Sequence, residues 1–238
     1  MKLTTLAFIA ASIAASPVAA FAQDTIATMN DPRATLTPGM KNTAGIAAKN
    51  MKLVSFTPKS AQLDSARGLS YINSDIAFKG TTVYQGNFSG FSIWDVSNPA
   101  MPMNLSTVLC ATDQGDPSIY GNLLFISAES GRARKDCGMQ GVAAGAGADR
   151  ERGVRIYDVS DPRNPKLINN IQTCRGTHTH TIVPDPKDKN VIYLYGGGSS
   201  SVRDSTEMPG CSQGIYPANP NASNNRIDII KVELDHPE

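Results

Sequence analysis

An all-β fold of repeated antiparallel sheets is predicted for this 238-residue chain by three features. The first is a ten-residue text that recurs without a gap. Gly90-Phe91-Ser92-Ile93-Trp94-Asp95-Val96-Ser97-Asn98-Pro99 returns as Gly153-Val154-Arg155-Ile156-Tyr157-Asp158-Val159-Ser160-Asp161-Pro162. The second is a succession of short β-rich runs broken at Gly and Asn turns. The third is composition: 20 Gly and 15 Pro against only 18% charged residues favour a turn-rich β protein over a helical bundle.

Taken in order, Met1 to Ala22 read as a secretory signal peptide: Lys2, an apolar run to Ala20, then Ala20-Phe21-Ala22 before Gln23. Cleavage is expected between Ala22 and Gln23. The product is secreted or periplasmic, with no transmembrane segment in the mature chain. Residues 23–50 are a leader or linker without periodicity. Residues 51–238 hold the repeats. In the first unit, Ser74–Phe78, Thr81–Gln85, the Ile93–Val96 run and Asn104–Cys110 read as four strands. The second unit repeats them as Pro117–Tyr120, Leu123–Ser127, Val154–Val159 and Leu167–Thr173. The third has Thr179–Val183, Val191–Tyr195 and Ile227–Val232, the last a degraded copy of the repeat.

Four antiparallel strands per repeat make a propeller blade, because one unit cannot bury its apolar face alone. The expected architecture is therefore a β-propeller-type array, with blades at about 69–110, 114–174 and 178–234. Closed propellers have typically four to eight blades, so two full blades and a partial third form an incomplete array with open edges. A strand at 51–56 is available to cap one edge. Trp94 and Tyr157 are expected as blade-core anchors.

The Ile-Trp-Asp-Val-Ser-Asn-Pro and Ile-Tyr-Asp-Val-Ser-Asp-Pro texts resemble LVIVD repeats, found in exported bacterial β-propeller proteins of mostly unassigned function. Asn73-Ser74-Asp75-Ile76-Ala77-Phe78 and Cys174-Arg175-Gly176-Thr177-His178-Thr179-His180-Thr181 share in the resemblance. It implies that this chain corresponds to the front part of a longer propeller.

Candidate chemistry lies where the blades begin. Asn73-Ser74-Asp75 aligns with Gln114-Gly115-Asp116 and with His178-Thr179-His180. Strand alternation puts the outer members of each triplet on one face. Asp75, Asp116 and His180 are thus expected in one layer of a channel ring, and Asn73, Gln114 and His178 in the next. Carboxylates and imidazoles together suit a divalent metal, with Asp75, Asp116, His178 and His180 as its ligands. The alternative is a solvated polar channel.

The four cysteines, Cys110, Cys137, Cys174 and Cys211, are an even set in an expected oxidising compartment, and none forms a Cys-x-x-Cys. Cys110 and Cys174 each stand four residues before a triplet. Cys137 and Cys211 lie in long insertions at 128–152 and 196–225. Within-unit pairing, Cys110 with Cys137 and Cys174 with Cys211, needs no long reach; bridges between units stay open. The pinned insertions, carrying Arg132, Arg134, Arg150, Arg152 and Arg203, are the expected binding face for a protein or small-molecule ligand.

Other classes find little support. A net charge of +1 gives no basic excess for phosphate contacts, and 6% aromatic residues give no stacking platform, so no nucleic acid is expected. There is no P-loop, dinucleotide fingerprint or Gly-x-Ser-x-Gly elbow. The sequence reads as an exported binding or scaffold protein. The alternatives are a metal-dependent propeller hydrolase or oxidase and a truncated, non-functional fragment.

Overall fold

The structure is a computed structural model and describes residues 48–65, 72–129, 132–143 and 147–238. The expected signal peptide, most of the leader and positions 69–71 of the first blade lie outside those residues. The chain divides into Met1–Leu53 and Val54–Glu238, and every sheet belongs to the second unit.

Among the described residues eleven strands form three antiparallel sheets, each in chain order. The first is β1 (Asn73–Lys79), β2 (Thr82–Asn87), β3 (Gly90–Asp95) and β4 (Met103–Leu109). The second is β5 (Pro117–Tyr120), β6 (Leu123–Ala128), β7 (Gly153–Asp158) and β8 (Lys166–Gln172). The third has three strands, β9 (Thr179–Pro184), β10 (Val191–Gly197) and β11 (Ile227–Glu233). This is the all-β, propeller-like arrangement of two four-stranded blades and a three-stranded one. The first strands are neighbours, β1 against β5 and β5 against β9, as inner strands of successive blades must be. Among the described residues no helix is long and apolar enough to cross a membrane.

The repeat is kept down to its irregularities. Ile93 stands opposite Ser106 but Trp94 opposite Asn104, so Leu105 is bulged out. In the next blade Ile156 faces Asn169 and Tyr157 faces Leu167, leaving Ile168 in the same place. Gly90 and Gly153 open the two motifs at φ +148° and +153°. A Cβ there would lie 1.9 Å from the carbonyl oxygens of Val108 and Ile171, so only glycine allows the fourth strand to close in. At the other end of the motif, Asp95 and Asp158 each accept a bond from the backbone N–H two residues on, Ser97 and Ser160, at 2.8 Å. These bonds hold both carboxyls below their ordinary value and end the strand in an Asx turn.

Strand alternation sends one face of each sheet to the next. Tyr84, Phe91 and Ile93 of the first sheet meet Leu124, Ile126, Tyr157 and Val159 of the second. Phe91 and Tyr157 cross edge to face at 4.8 Å. The opposite face of the second sheet, through Phe125, Val154 and Ile156, packs on Ile192, Leu194 and Val232 of the third. All six residues of β6 are therefore buried. Each large apolar side chain so buried contributes about 1.5–3 kcal/mol.

Two expectations need correction. Residues 51–60 form no strand. A strand needs an edge to pair with, and here side chains hold the segment instead. Ser55 Oγ donates to the Pro99 carbonyl at 2.7 Å, and Leu63 is buried in a 3-10 turn, Ala61–Ser65, lying against β4. Trp94 is not a core anchor. Tyr157 is 2% exposed, but Trp94 is only half-buried, with Nε1 donating to Gln85 Oε1 at 3.0 Å. The repeat turns both rings toward the preceding sheet, and among the described residues only Tyr157 has one there.

Candidate functional site

The aligned triplets meet where β1, β5 and β9 adjoin. β9 carries His180 into the second sheet, where its side chain is fully buried. Nε2 lies 2.6 Å from Ser118 Oγ on β5, and Nδ1 lies 2.7 Å from Ser127 Oγ on β6. The ring stands edge to face on Phe125 at 6.5 Å. Burial pushes the imidazole down to about 4, so it is neutral at pH 7 and both nitrogens are engaged by hydroxyls.

Asp116 lies beside it. Asp116 Oδ2 accepts from the His180 backbone N–H at 3.1 Å and sits 3.8 Å from Nδ1. Burial pushes this carboxyl up to about 6; the neighbouring Asp75 carboxylate adds to the rise, and the His180 amide and His178 oppose it. Asp75 itself is exposed and accepts from the Ile76 N–H at 2.7 Å. Asp75, Asp116 and His180 are thus brought together.

The second row diverges. Asn73 Oδ1 accepts from Asn87 Nδ2 at 3.0 Å, Gln114 is half-buried, and His178 Nδ1 lies 2.8 Å from Glu129 Oε2. Among the described residues no three carboxylate, imidazole or thiol groups are set to hold one ion. The partners Ser118, Ser127 and Glu129 carry no motif in the sequence. They become relevant only because β9 crosses to the second sheet.

The insertions are built on two disulfides, Cys110–Cys137 and Cys174–Cys211, the within-unit pairing. Beneath the first, Arg155 is fully buried and works as a brace. Nη1 donates to the Cys110 and Ala111 carbonyls at 3.2 and 2.8 Å, and Nη2 to the Arg134 carbonyl at 2.6 Å. Arg134 in turn pairs with Asp136 at 2.7 Å and Asp149 at 3.3 Å. Arg203 joins the second insertion to the second sheet, donating to Gln172 Oε1 at 2.9 Å and to the Arg150 carbonyl at 3.3 Å. Arg150 pairs with Glu207 at 3.3 Å. Glu151 lies buried among these groups, accepting from Gln172 Nε2, and burial pushes it up to about 7. Most of the arginines expected to face a ligand therefore hold loop backbone and loop carboxylates.

An open cleft of about 620 Å³ remains beside Cys211, lined by Ser212, Asn219, Asn221 and Arg226 among others. Its walls are set by Asn219 Nδ2, which donates to Ser212 Oγ and the Gln213 carbonyl at 2.7 and 2.6 Å.

Comparison with known proteins places LVIVD repeats at residues 73–109 and 148–173. These segments cover β1 to β4 in the first blade and β7 and β8 in the second. No curated protein matches the chain. Among solved structures, the crystal structure of the computationally designed Ika4 protein is similar at 12% identity. The match covers 58% of this chain and 94% of that one, with a TM-score of 0.28, and carries no argument about fold or function.

Proposed function

We propose, from a chain that carries LVIVD repeats on propeller-like blades, an exported binding module that takes its ligand in the disulfide-pinned insertions. The cleft beside Cys211 carries this reading. Its hydroxyl, amide and guanidinium groups suit a polar or anionic small molecule or peptide, and the wall residues are held by their own hydrogen bonds. Two disulfides support an oxidising compartment. The enzymatic alternative rests on the Ser118 and His180 pair, which has the spacing of a hydroxyl and its base. With the imidazole fully buried, however, no substrate reaches it. Its bonds instead lock β9 onto β5 and β6, which is what a rigid scaffold requires.

The test is a thermal-shift screen of the purified protein against sugars, sugar phosphates, nucleotides and short charged peptides. The expected hit stabilises the parent and Ser118→Ala alike but not Asn221→Trp, which fills the cleft. A hit that survives Asn221→Trp, or ester turnover that Ser118→Ala abolishes, overturns the reading. So does a stoichiometric divalent ion lost in the His178→Ala/His180→Ala double variant, which would favour metal-dependent chemistry.

A further inference from the structure

The geometry points to a binding site for one small oxyanion of the sulfate or phosphate class, centred on the buried guanidinium of Arg152 where the two insertions meet the second sheet. It shares no residue with the cleft beside Cys211.

Strand pairing brings its parts together. Gly153 stands opposite Gln172, and just beyond them the Thr173 N–H donates to the Arg152 carbonyl at 2.7 Å. Arg152 and Thr173 are therefore cross-strand neighbours, a relation that sets Cβ atoms about 4.5–5.5 Å apart. The second insertion is tied to the same place. Arg203 N–H donates to the Cys174 carbonyl at 2.9 Å, and the Ser201 carbonyl accepts from Arg152 Nη1 at 3.0 Å.

Charge at this junction does not balance. Three guanidiniums, those of Arg150, Arg152 and Arg203, share one carboxylate. Glu207 pairs with Arg150 Nη1 and with Arg203 Nε, each at 3.3 Å, while Arg152 has no ion pair among the described residues. The other acids that act on these arginines are already taken. Asp113 pairs with Arg132 at 3.1 Å. Glu151, which faces Arg155, Arg203 and Lys135, holds its proton up to about 7. Burial and the neighbouring Arg150 lower Arg152 below its ordinary value, and Glu207 and Asp113 only oppose them in part.

Hydrogen-bonding capacity is also left over. Arg152 and Thr173 are 7 and 4% exposed, yet neither Arg152 Nε nor Thr173 Oγ1 has a partner among the described residues. Arg150 Nε is buried in the same condition. Water can satisfy such donors but leaves the charge uncompensated, and buried cations are ordinarily paired. An oxyanion does both. With Nη1 taken by Ser201, Nε and Nη2 are the side of Arg152 left for two oxygens, the fork that guanidinium presents to phosphate and carboxylate. The Thr173 hydroxyl is at hand for a third oxygen. Arg150, with its side chain 22% exposed, gives the way in from solvent. Enclosure at Arg152 restricts the guest to an inorganic ion rather than a sugar phosphate or nucleotide.

Calorimetric titration of the purified protein at pH 7 with sodium sulfate and with sodium phosphate, at constant ionic strength in chloride, tests the site. One oxyanion per chain should bind with a Kd of about 10 µM to 1 mM. Binding should persist in Asn221→Trp, whose cleft is filled. Arg152→Gln should weaken it by about 30-fold or more and Thr173→Val by about 10-fold, as follows from lost hydrogen bonds to a charged group. Because Thr173 Oγ1 has no partner among the described residues, Thr173→Val should melt with the parent in chloride alone. It therefore decides the matter if Arg152→Gln does not fold. A parent that binds neither ion at about 10 mM overturns the inference. So does undiminished affinity in Thr173→Val or in folded Arg152→Gln. Loss of binding in Asn221→Trp overturns it as well, since the ion would then sit in the cleft, and leaves the reading of the cleft itself standing.

Discussion

Replacing Glu151 by Gln should make the protein more stable at pH 8 while changing little at pH 5. Glu151 is fully buried in the first insertion. One carboxyl oxygen accepts from Gln172, and the other has no hydrogen-bond partner. Arg155 and Arg203 favour the anion, but burial outweighs them and pushes the group from its ordinary 4.5 up to about 7. An unfolded chain releases this proton near pH 4.5, whereas the folded one holds it until about 7. Across that window folding takes up a proton, so stability falls as pH rises and levels off above the folded value. At about 1.4 kcal/mol per pH unit, the accumulated loss is about 3 kcal/mol. Gln keeps the shape and can still accept from Gln172, but has no proton to lose. Denaturant unfolding followed by fluorescence of Trp94, the only tryptophan, measures both proteins between pH 5 and 8 with disulfides intact. The expected gap at pH 8 is about 3 kcal/mol, or about 6–12 °C in Tm for a domain of this size. Parallel stability curves, or a variant less stable than the parent at pH 8, would refute the reasoning.

Gly153→Ala should destabilise the second blade by about 3 kcal/mol or more, because its Cβ meets the Ile171 carbonyl at 1.9 Å. Calorimetry that finds Gly153→Ala within 1 kcal/mol of the parent, or about that, contradicts the close approach. Cys174→Ala with Cys211→Ala opens a loop of 37 residues and should lower unfolding free energy by about 4 kcal/mol. Equal melts for parent and double variant count against it. His180→Leu strips partners from the hydroxyls of Ser118 and Ser127 and should lower stability at pH 7 by about 2–4 kcal/mol. The parent's His180 is held below its ordinary 6.5, so its contribution is complete above that pH and is lost as pH falls toward 4. The parent's advantage over His180→Leu should therefore shrink by about 3 kcal/mol across that window. An advantage that is constant with pH would mean that the imidazole is not held neutral by burial.

The strands and their grouping were legible because each is announced locally. The Asp-Val-Ser ending makes an Asx turn at Asp95 and again at Asp158, and Gly90 and Gly153 mark the same close approach to a fourth strand. Even the bulges at Leu105 and Ile168 follow the repeat. The same topology favoured within-unit pairing of the cysteines while leaving bridges between units open, and the fold forms the within-unit pairs. What a side chain meets across blades is not local. Trp94 and Tyr157 occupy one position of one repeat, yet among the described residues only Tyr157 has a sheet to pack against. His180 and His178 were legible as a pair of inward candidates. Whether the first would face a metal, water or two serines depended on Ser118 and Ser127, more than 50 residues away. The arginines of the insertions looked available for a ligand, but Arg134, Arg150 and Arg203 are engaged by carboxylates, a carbonyl and an amide that only folding brings near. Sequence by itself determined the blades, since hydrogen-bond register and turns are written in neighbouring residues. Tertiary structure decided which polar groups are free, because burial is fixed by the sheet that packs on them.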